Sequence, residues 1–317
     1  MSESRTATVR AYAPHLNLMV TMVMFGSAFA SSKVVVGAMP HEVAAAFRFG
    51  GGALVLAAVV AVMPRRGQRL GRRNAIRAAA VGVIGVFAYN VLFFWGLSLA
   101  PSVDGTIIVP VLSPILTVVA LFAFRGERVS RRQAVGLATG AVGAVVFLVA
   151  VGGSGDADRL VGDAIFVAAA AAWAGYSIVS KSVLTGIEPL RATTWGVSTG
   201  AVLLALYAAP HVGATAWSDV GATAWLNVVF LAIGPTAVAY LFYYRGLRHV
   251  SPTVATVMMF TVPVVGIACS YIFLGERINA GQIGGAVVLL VGALLAVVGP
   301  TAGGAPESRV RSSVRDD

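Results

Sequence analysis

Trp173, Tyr176, Ser177 and Ser180 fall at i, i+3, i+4 and i+7, which puts two aromatic rings and two hydroxyls on one face of a helix. Such rings suit an apolar or aromatic ligand, and hydroxyls can orient its polar end. Tyr89, Asn90, Phe93 and Phe94 form a second cluster of this character, and Tyr240, Tyr243 and Tyr244 a third. Thr106, Ser113 and Thr117 lie near one face, with Thr256 and Met259 as a later counterpart. Lys33, Arg48 and Lys181 are the cations set within apolar blocks, each a candidate contact for an anionic group. Pro110, Pro114 and Pro263 interrupt apolar blocks and remove helix hydrogen bonds, the pattern of a hinge or gate. These residues can bind; they are not equipped to react. No Walker loop, metal-ligand cluster or nucleophile–base pair is evident, so no catalytic residue, cofactor or metal is expected.

Each of these residues also has a plainer reading. The helical stripe could be helix–helix packing, although Trp173 lies mid-block whereas interfacial belts place Trp near span ends. Tyr243 and Tyr244 fit the belt better than a site. An amide in hydrocarbon is costly without a partner, so Asn90 is expected to face a wet cavity or another helix. Lys33 and Lys181 could snorkel to headgroups. Arg48, about two turns inside its span, could pair with Glu42 or helix-end carbonyls, or bind a substrate carboxylate; the structural role is favoured. The carboxylates Glu42, Asp104, Asp163 and Glu276 are all placed at span ends, as are the histidines. Coupling of flux to protons is therefore not expected.

The elements that must position these residues are set by composition. Of 317 residues, 58% are hydrophobic and only 11% charged, against about 45–50% and 25% in soluble domains. A bilayer-spanning helix needs roughly 20 apolar residues. The sequence supplies ten such blocks, near 16–36, 43–63, 76–98, 104–124, 133–151, 163–184, 191–210, 223–245, 252–274 and 279–298. The fold class is thus an all-α polytopic membrane protein. The first block has a basic lead-in and an Ala28-Phe29-Ala30 cleavage-like triplet, but runs on to Val36 and has a partner later in the chain. It is therefore read as a mature span. The single cysteine, Cys269, excludes an internal disulfide.

Charge orients the spans. With the N-terminus inside, nineteen of the 23 Lys and Arg residues fall in inner segments, Arg65, Arg66, Arg69, Arg72, Arg73 and Arg77 among them. Only Arg159 and Arg277 fall in outer loops, while Lys33 and Arg48 lie within spans. This positive-inside bias predicts an integral membrane protein with both termini cytoplasmic, an orientation expected here in a bacterial-type inner membrane. It also explains the net charge of +10 through lipid headgroups rather than nucleic acid.

The two halves of the chain repeat at an offset of about 149 residues. Gly126-Glu127-Arg128 recurs as Gly275-Glu276-Arg277; Gln133, Gly136 and Gly143 recur as Gln282, Gly285 and Gly292; Pro114 recurs as Pro263. Gly96-Leu97 matches Gly246-Leu247, and Phe25, Lys33 and Pro40 match Trp173, Lys181 and Pro189. Five spans per half is an odd number, so the second copy is inverted. The expected organisation is a tail at 1–15, a first repeat at 16–151, an external linker at 152–162, a second repeat at 163–299 and a tail at 300–317. Inverted repeats of this kind characterise carriers that alternate access about a midplane site.

The chain resembles the drug/metabolite transporter superfamily in its ten-helix, two-repeat form. Gly26-Ser27 and Lys33 in the first span, Ala46-Phe47-Arg48-Phe49 in the second, and the two Gly-Glu-Arg turns with their downstream Gln and Gly carry the resemblance. It spans roughly residues 16–299; one departure is Phe25, where Trp is frequent. The resemblance implies an alternating-access carrier that exports or exchanges small metabolites. With the aromatic stripe, it points to hydrophobic or aromatic amino acids. The alternatives are anionic or phosphorylated metabolites held by Lys33, Arg48 and Lys181, and a non-transporting receptor or lipid-processing enzyme. Partners are a small-molecule substrate and the bilayer, and the Gly-rich fifth and tenth spans offer a homodimer contact.

Overall fold

The computed structural model describes residues 2–62, 71–126, 130–152, 156–183, 187–247 and 258–297. Among them no strand occurs. The helices are α1 (Ser2–Val36), α2 (His41–Val62), α3 (Arg72–Leu99), α4 (Ser102–Arg125), α5 (Arg131–Gly152), α6 (Ala157–Val183), α7 (Pro189–Val212), α8 (Ala222–Leu247), α9 (Thr261–Leu274) and α10 (Ala280–Val297). The surface is inverted relative to a soluble protein: Phe124 is 88% exposed and Leu54 74%, as helices facing lipid require. Large apolar side chains such as Phe94, Phe147 and Phe166 fill the interior.

Three boundaries depart from the sequence reading. The first helix starts at Ser2 instead of residue 16. The sixth starts at Ala157 instead of 163, which moves Asp163 from a helix end to almost two turns inside α6. Of the ninth span, 252–257 lie outside the described residues, and a turn at Phe260 precedes Thr261. Pro263 is therefore the third residue of α9, in a first turn whose N–H groups lack helical partners anyway.

Contacts between helices reproduce the repeat. The pair α1·α9 corresponds to α6·α4, α1·α8 to α6·α3, and α3·α7 to α8·α2, while α2·α7 and α5·α10 map onto themselves. Advancing every helix by five thus returns the most extensive of the helix pairs, which is pseudo-two-fold symmetry read from packing.

The recurring residues serve these contacts and the helix ends. Gly126 and Gly275 adopt left-handed φ of 63° and 67°, ending α4 and α9 in the conformation that glycine adopts without a Cβ clash. Gln133 and Gln282 each close a capping box. The Ser130 N–H donates to Gln133 Oε1 at 3.0 Å and the Gln133 N–H to Ser130 Oγ at 3.2 Å. Asn279 and Gln282 do the same at 2.9 and 2.8 Å.

Gly136, Gly140 and Gly143 of α5 meet Ala296, Gly292 and Leu289 of α10 so closely that an added Cβ would overlap the opposing backbone in the Gly136, Gly143 and Gly292 contacts. The stripe expected to offer a homodimer contact is thus used within the chain, where small residues let two backbones touch.

Helices α3 and α8 each contain a π-helical stretch, Val83–Ala88 and Ala232–Val238. Each crosses a glycine of a repeat-related helix: Val86 packs on Gly200 of α7, and Thr236 on Gly52 of α2. Side chains add hydrogen bonds to carbonyls at both stretches. Asn90 Nδ2 donates to the Val86 carbonyl at 2.7 Å and Thr236 Oγ1 to that of Leu231 at 2.8 Å. π stretches are frequent at functional sites, and both lie directly before the aromatic clusters at Tyr89 and Tyr240.

Candidate functional site

Arg48 comes from the middle of the buried face of α2 and is only 8% exposed. Its guanidinium carbon lies 5.0 Å from the ring centre of Phe49, 5.7 Å from Phe93 and 5.8 Å from Phe94. Nη1 donates to Ser32 Oγ of α1 at 3.3 Å, while Nε has no hydrogen-bond partner. Tyr89 and Tyr240 are its electrostatic neighbours. Pairing with Glu42 is not formed: Glu42 sits between His41 Nδ1 and His211 Nε2, each at 3.4 Å. Among the described residues no carboxylate forms an ion pair with Arg48. Cation–π contacts contribute about 0.5–2 kcal/mol, against a few kcal/mol or more for a charge in the bilayer interior. The rings and one hydroxyl hold the cation in place but leave its hydrogen-bonding capacity partly unused.

From this cation a file of rings runs across the bundle. Phe93 stands 5.7 Å from Tyr89, Tyr89 5.0 Å from Trp173, and Trp173 5.2 Å from Tyr176, centre to centre. On the other side Phe25 of α1 packs edge-on against Tyr240 at 5.8 Å. The Tyr176 ring rests on Gly85 in the π stretch of α3, a position where any Cβ would overlap it. Tyr176 and Tyr240 wall a narrow cleft with Gly82, Val86, Thr193 and Val197. Thr193 Oγ1 is buried there without a partner.

Other candidates have different surroundings. Ser177 and Ser180 donate to the carbonyls of Trp173 and Ser177, at 2.9 and 3.3 Å. Hydroxyls in a dry helix turn back onto their own backbone, so here they are spent on the helix. Asn90 is 2% exposed, uses its NH2 group on Val86 and leaves Oδ1 unpaired. Thr106 donates to the Ser102 carbonyl at 2.8 Å and packs on Gly266 of α9, a helix-crossing position away from the ring file. Met259 packs against the core. Pro110 and Pro114 lie inside α4, which continues unbroken past both. Thr256 lies outside the described residues, and the Lys181 and Tyr244 side chains are likewise not described.

Lys33 does not snorkel. Its Nζ donates to the carbonyls of Leu97 and Ala100 at 2.6 and 2.8 Å, closing the C-terminal end of α3. Beside it Glu276 caps α4. It accepts from the N–H groups of Ser102 and Val103 at 2.9 and 2.8 Å and from Ser102 Oγ at 2.9 Å. Arg159 forks onto Asp104 at 2.7 and 2.9 Å. This layer lies at the end of the bundle that the charge bias assigns to the outside. Lys33 is thereby removed from the ring file and from any central anion site. The sequence reading missed Thr193, Ser32 and Gly85; the π stretches had Pro235 as their one available signal.

Known proteins agree with this architecture. The profile of the EamA-like transporter family matches twice, over residues 13–149 and 160–298. The uncharacterized transporter YyaM of Bacillus subtilis is 27% identical over 290 residues, covering 89% of this chain and 94% of its own. A probable terminal-alkyne amino-acid exporter of Streptantibioticus cattleyicolor is 26% identical, covering 86% and 91%. The aromatic amino acid exporter YddG of Ancylobacter novellus is 28% identical, covering 86% and 92%. One crystal structure, 23% identical, superposes with a TM-score of 0.61 over 88% of this chain and 95% of that one, a likeness of fold. With a doubled profile match over most of its length and a pseudo-symmetric ten-helix bundle around a ring-lined cation, the chain belongs to the EamA-like transporter family, within the drug/metabolite transporter superfamily, and is an integral membrane transporter rather than an enzyme.

Proposed function

We propose that this transporter moves hydrophobic or aromatic amino acids out of the cell across a bacterial-type inner membrane. The observation that carries this reading is Arg48, a buried guanidinium with an unpartnered Nε, standing at one end of a file of aromatic rings. A guanidinium recognises a carboxylate through directed, charge-assisted hydrogen bonds, and the rings suit an apolar side chain. Two similar proteins named as amino-acid exporters support the same class.

The test is counterflow of radiolabelled phenylalanine, tryptophan and leucine in proteoliposomes. Trp173→Ala should weaken transport about 2- to 12-fold, the equivalent of 0.5–1.5 kcal/mol of ring stacking beyond area burial, with a smaller loss of thermal stability. Arg48→Lys should keep the protein folded and reduce transport more strongly, because an ammonium cannot reproduce the guanidinium fork. Amino-acid amides, which lack the carboxylate, should compete poorly with wild type. Equal competition by acid and amide would overturn the role of Arg48. Flux of phosphate esters without flux of amino acids would overturn the substrate class.

A further inference from the structure

Asp163 is 0% exposed, and neither carboxyl oxygen has a hydrogen-bond partner. The charged groups that act on it are committed elsewhere. The cation beside it on its own helix, Arg159, is held in a two-pronged pair by Asp104. Helix α4 contributes Asp104, a like charge whose Oδ1 also lies 3.5 Å from Gln282 Nε2 of α10. Helix α3 contributes no ionisable group at this end, only the Leu97 and Ala100 carbonyls already taken by Lys33 of α1. Glu276 is spent on the N-terminus of α4. The described end of α5 carries no charged residue, and Asp156, just before α6, and Asp158, on it, are exposed. No group of His, Cys, Asp and Glu able to hold a metal occurs among the described residues.

An ionised carboxylate buried without a cation or donor costs several kcal/mol, and taking up a proton removes that cost. We propose that Asp163 is a proton-binding site that latches this end of the bundle shut. It holds a proton while α4 is packed against α6 and α9, and it releases one to the adjoining water when α4 parts from them and the carboxyl is hydrated. Atoms and charge balance simply: one O–H bond breaks, its proton goes to solvent, and the carboxylate takes the charge. The closed form therefore binds one proton more than the open form. Low pH at this face favours closure and high pH favours opening, by at most about tenfold per pH unit for one proton. The sequence alone placed Asp163 at a helix end, where water would have kept it ionised.

Ser270 reports on this latch, since it is fully buried and its hydroxyl meets that of Ser102 at 2.7 Å. In a Cys269→Ser background, Ser270→Cys protein in proteoliposomes is reacted with an impermeant maleimide from pH 5 to 9. Exposed Ser218→Cys serves as the reference for the reagent's own pH dependence and for the side labelled. The expected result is a normalised rate that climbs with pH up to about tenfold per unit. Asp163→Asn, permanently neutral, should label slowly at every pH, while Asp158→Asn should keep the wild-type response. Should Asp163→Asn fail to fold, Asp163→Glu should retain a pH response with a displaced midpoint. The infrared carbonyl band of a protonated carboxylic acid, which should fade as pH rises, gives a second reading on the unaltered protein. A flat normalised rate overturns the proposal, as does a pH response that survives in Asp163→Asn. No substrate enters the assay, so its failure leaves the amino-acid reading untouched.

Discussion

Glu276→Gln keeps the size of the side chain and isolates what its charge and second oxygen do. In the native protein one oxygen takes the Ser102 N–H, the other takes the Val103 N–H and the Ser102 hydroxyl, all within 2.8–2.9 Å. An amide has one acceptor oxygen, so one of the two first-turn N–H groups of α4 must face an NH2 group and go unpaired. An unsatisfied buried donor costs about 1–3 kcal/mol. Removing an anion from a helix N-terminus adds about 0.3–1 kcal/mol. The expected loss is therefore about 1.5–4 kcal/mol. Ser102→Ala removes only the hydroxyl and leaves both N–H bonds to Glu276, so about 1 kcal/mol is expected. Exposed Arg277→Gln should stay within about 0.5 kcal/mol of wild type. The assay is equilibrium unfolding in mixed micelles followed by tryptophan fluorescence. If Glu276→Gln falls within 0.5 kcal/mol of wild type, or costs less than Ser102→Ala, Glu276 is not the cap of α4.

Two further outcomes follow from packing and charge. Gly292→Ala should destabilise the protein by about 1–3 kcal/mol, because its Cβ would enter the Gly140 backbone, whereas Gly284→Ala, two turns earlier with nothing within 4 Å, should be neutral or slightly stabilising; equal effects in thermal unfolding would refute the intramolecular α5–α10 contact. For orientation, in a Cys269→Ser background, Arg69→Cys should label with an impermeant reagent only after permeabilisation and Ser154→Cys in intact cells; the reverse order would invert the bundle.

The sequence by itself determined the class of this protein. Ten apolar blocks cannot be satisfied in water, a repeat of five spans must invert, and the recurring Gly-Glu-Arg turns, Gln133 and Gln282 marked that repeat before any contact was known. The capping roles of Gln133, Gln282 and Glu276 came only with the structure. Arg48 and the Trp173–Tyr176 stripe were also visible as residue types in unusual places. Their company was not. The sequence weighed Glu42, helix-end carbonyls and a substrate carboxylate for Arg48 without being able to separate them, and the rings of Phe49, Phe93 and Phe94 that surround it depended on α2 and α3 converging. Lys33 looked like a snorkelling lysine because its partners lie 64 and 67 residues away on α3. The glycines of α5 and α10 announced a close approach but not with which helix. Asp163 is the clearest case: hydropathy places a carboxylate where the apolar run begins, yet α6 starts almost two turns earlier and packs against α3 and α4. Burial and pairing are properties of three-dimensional neighbours, and tertiary structure alone decided them.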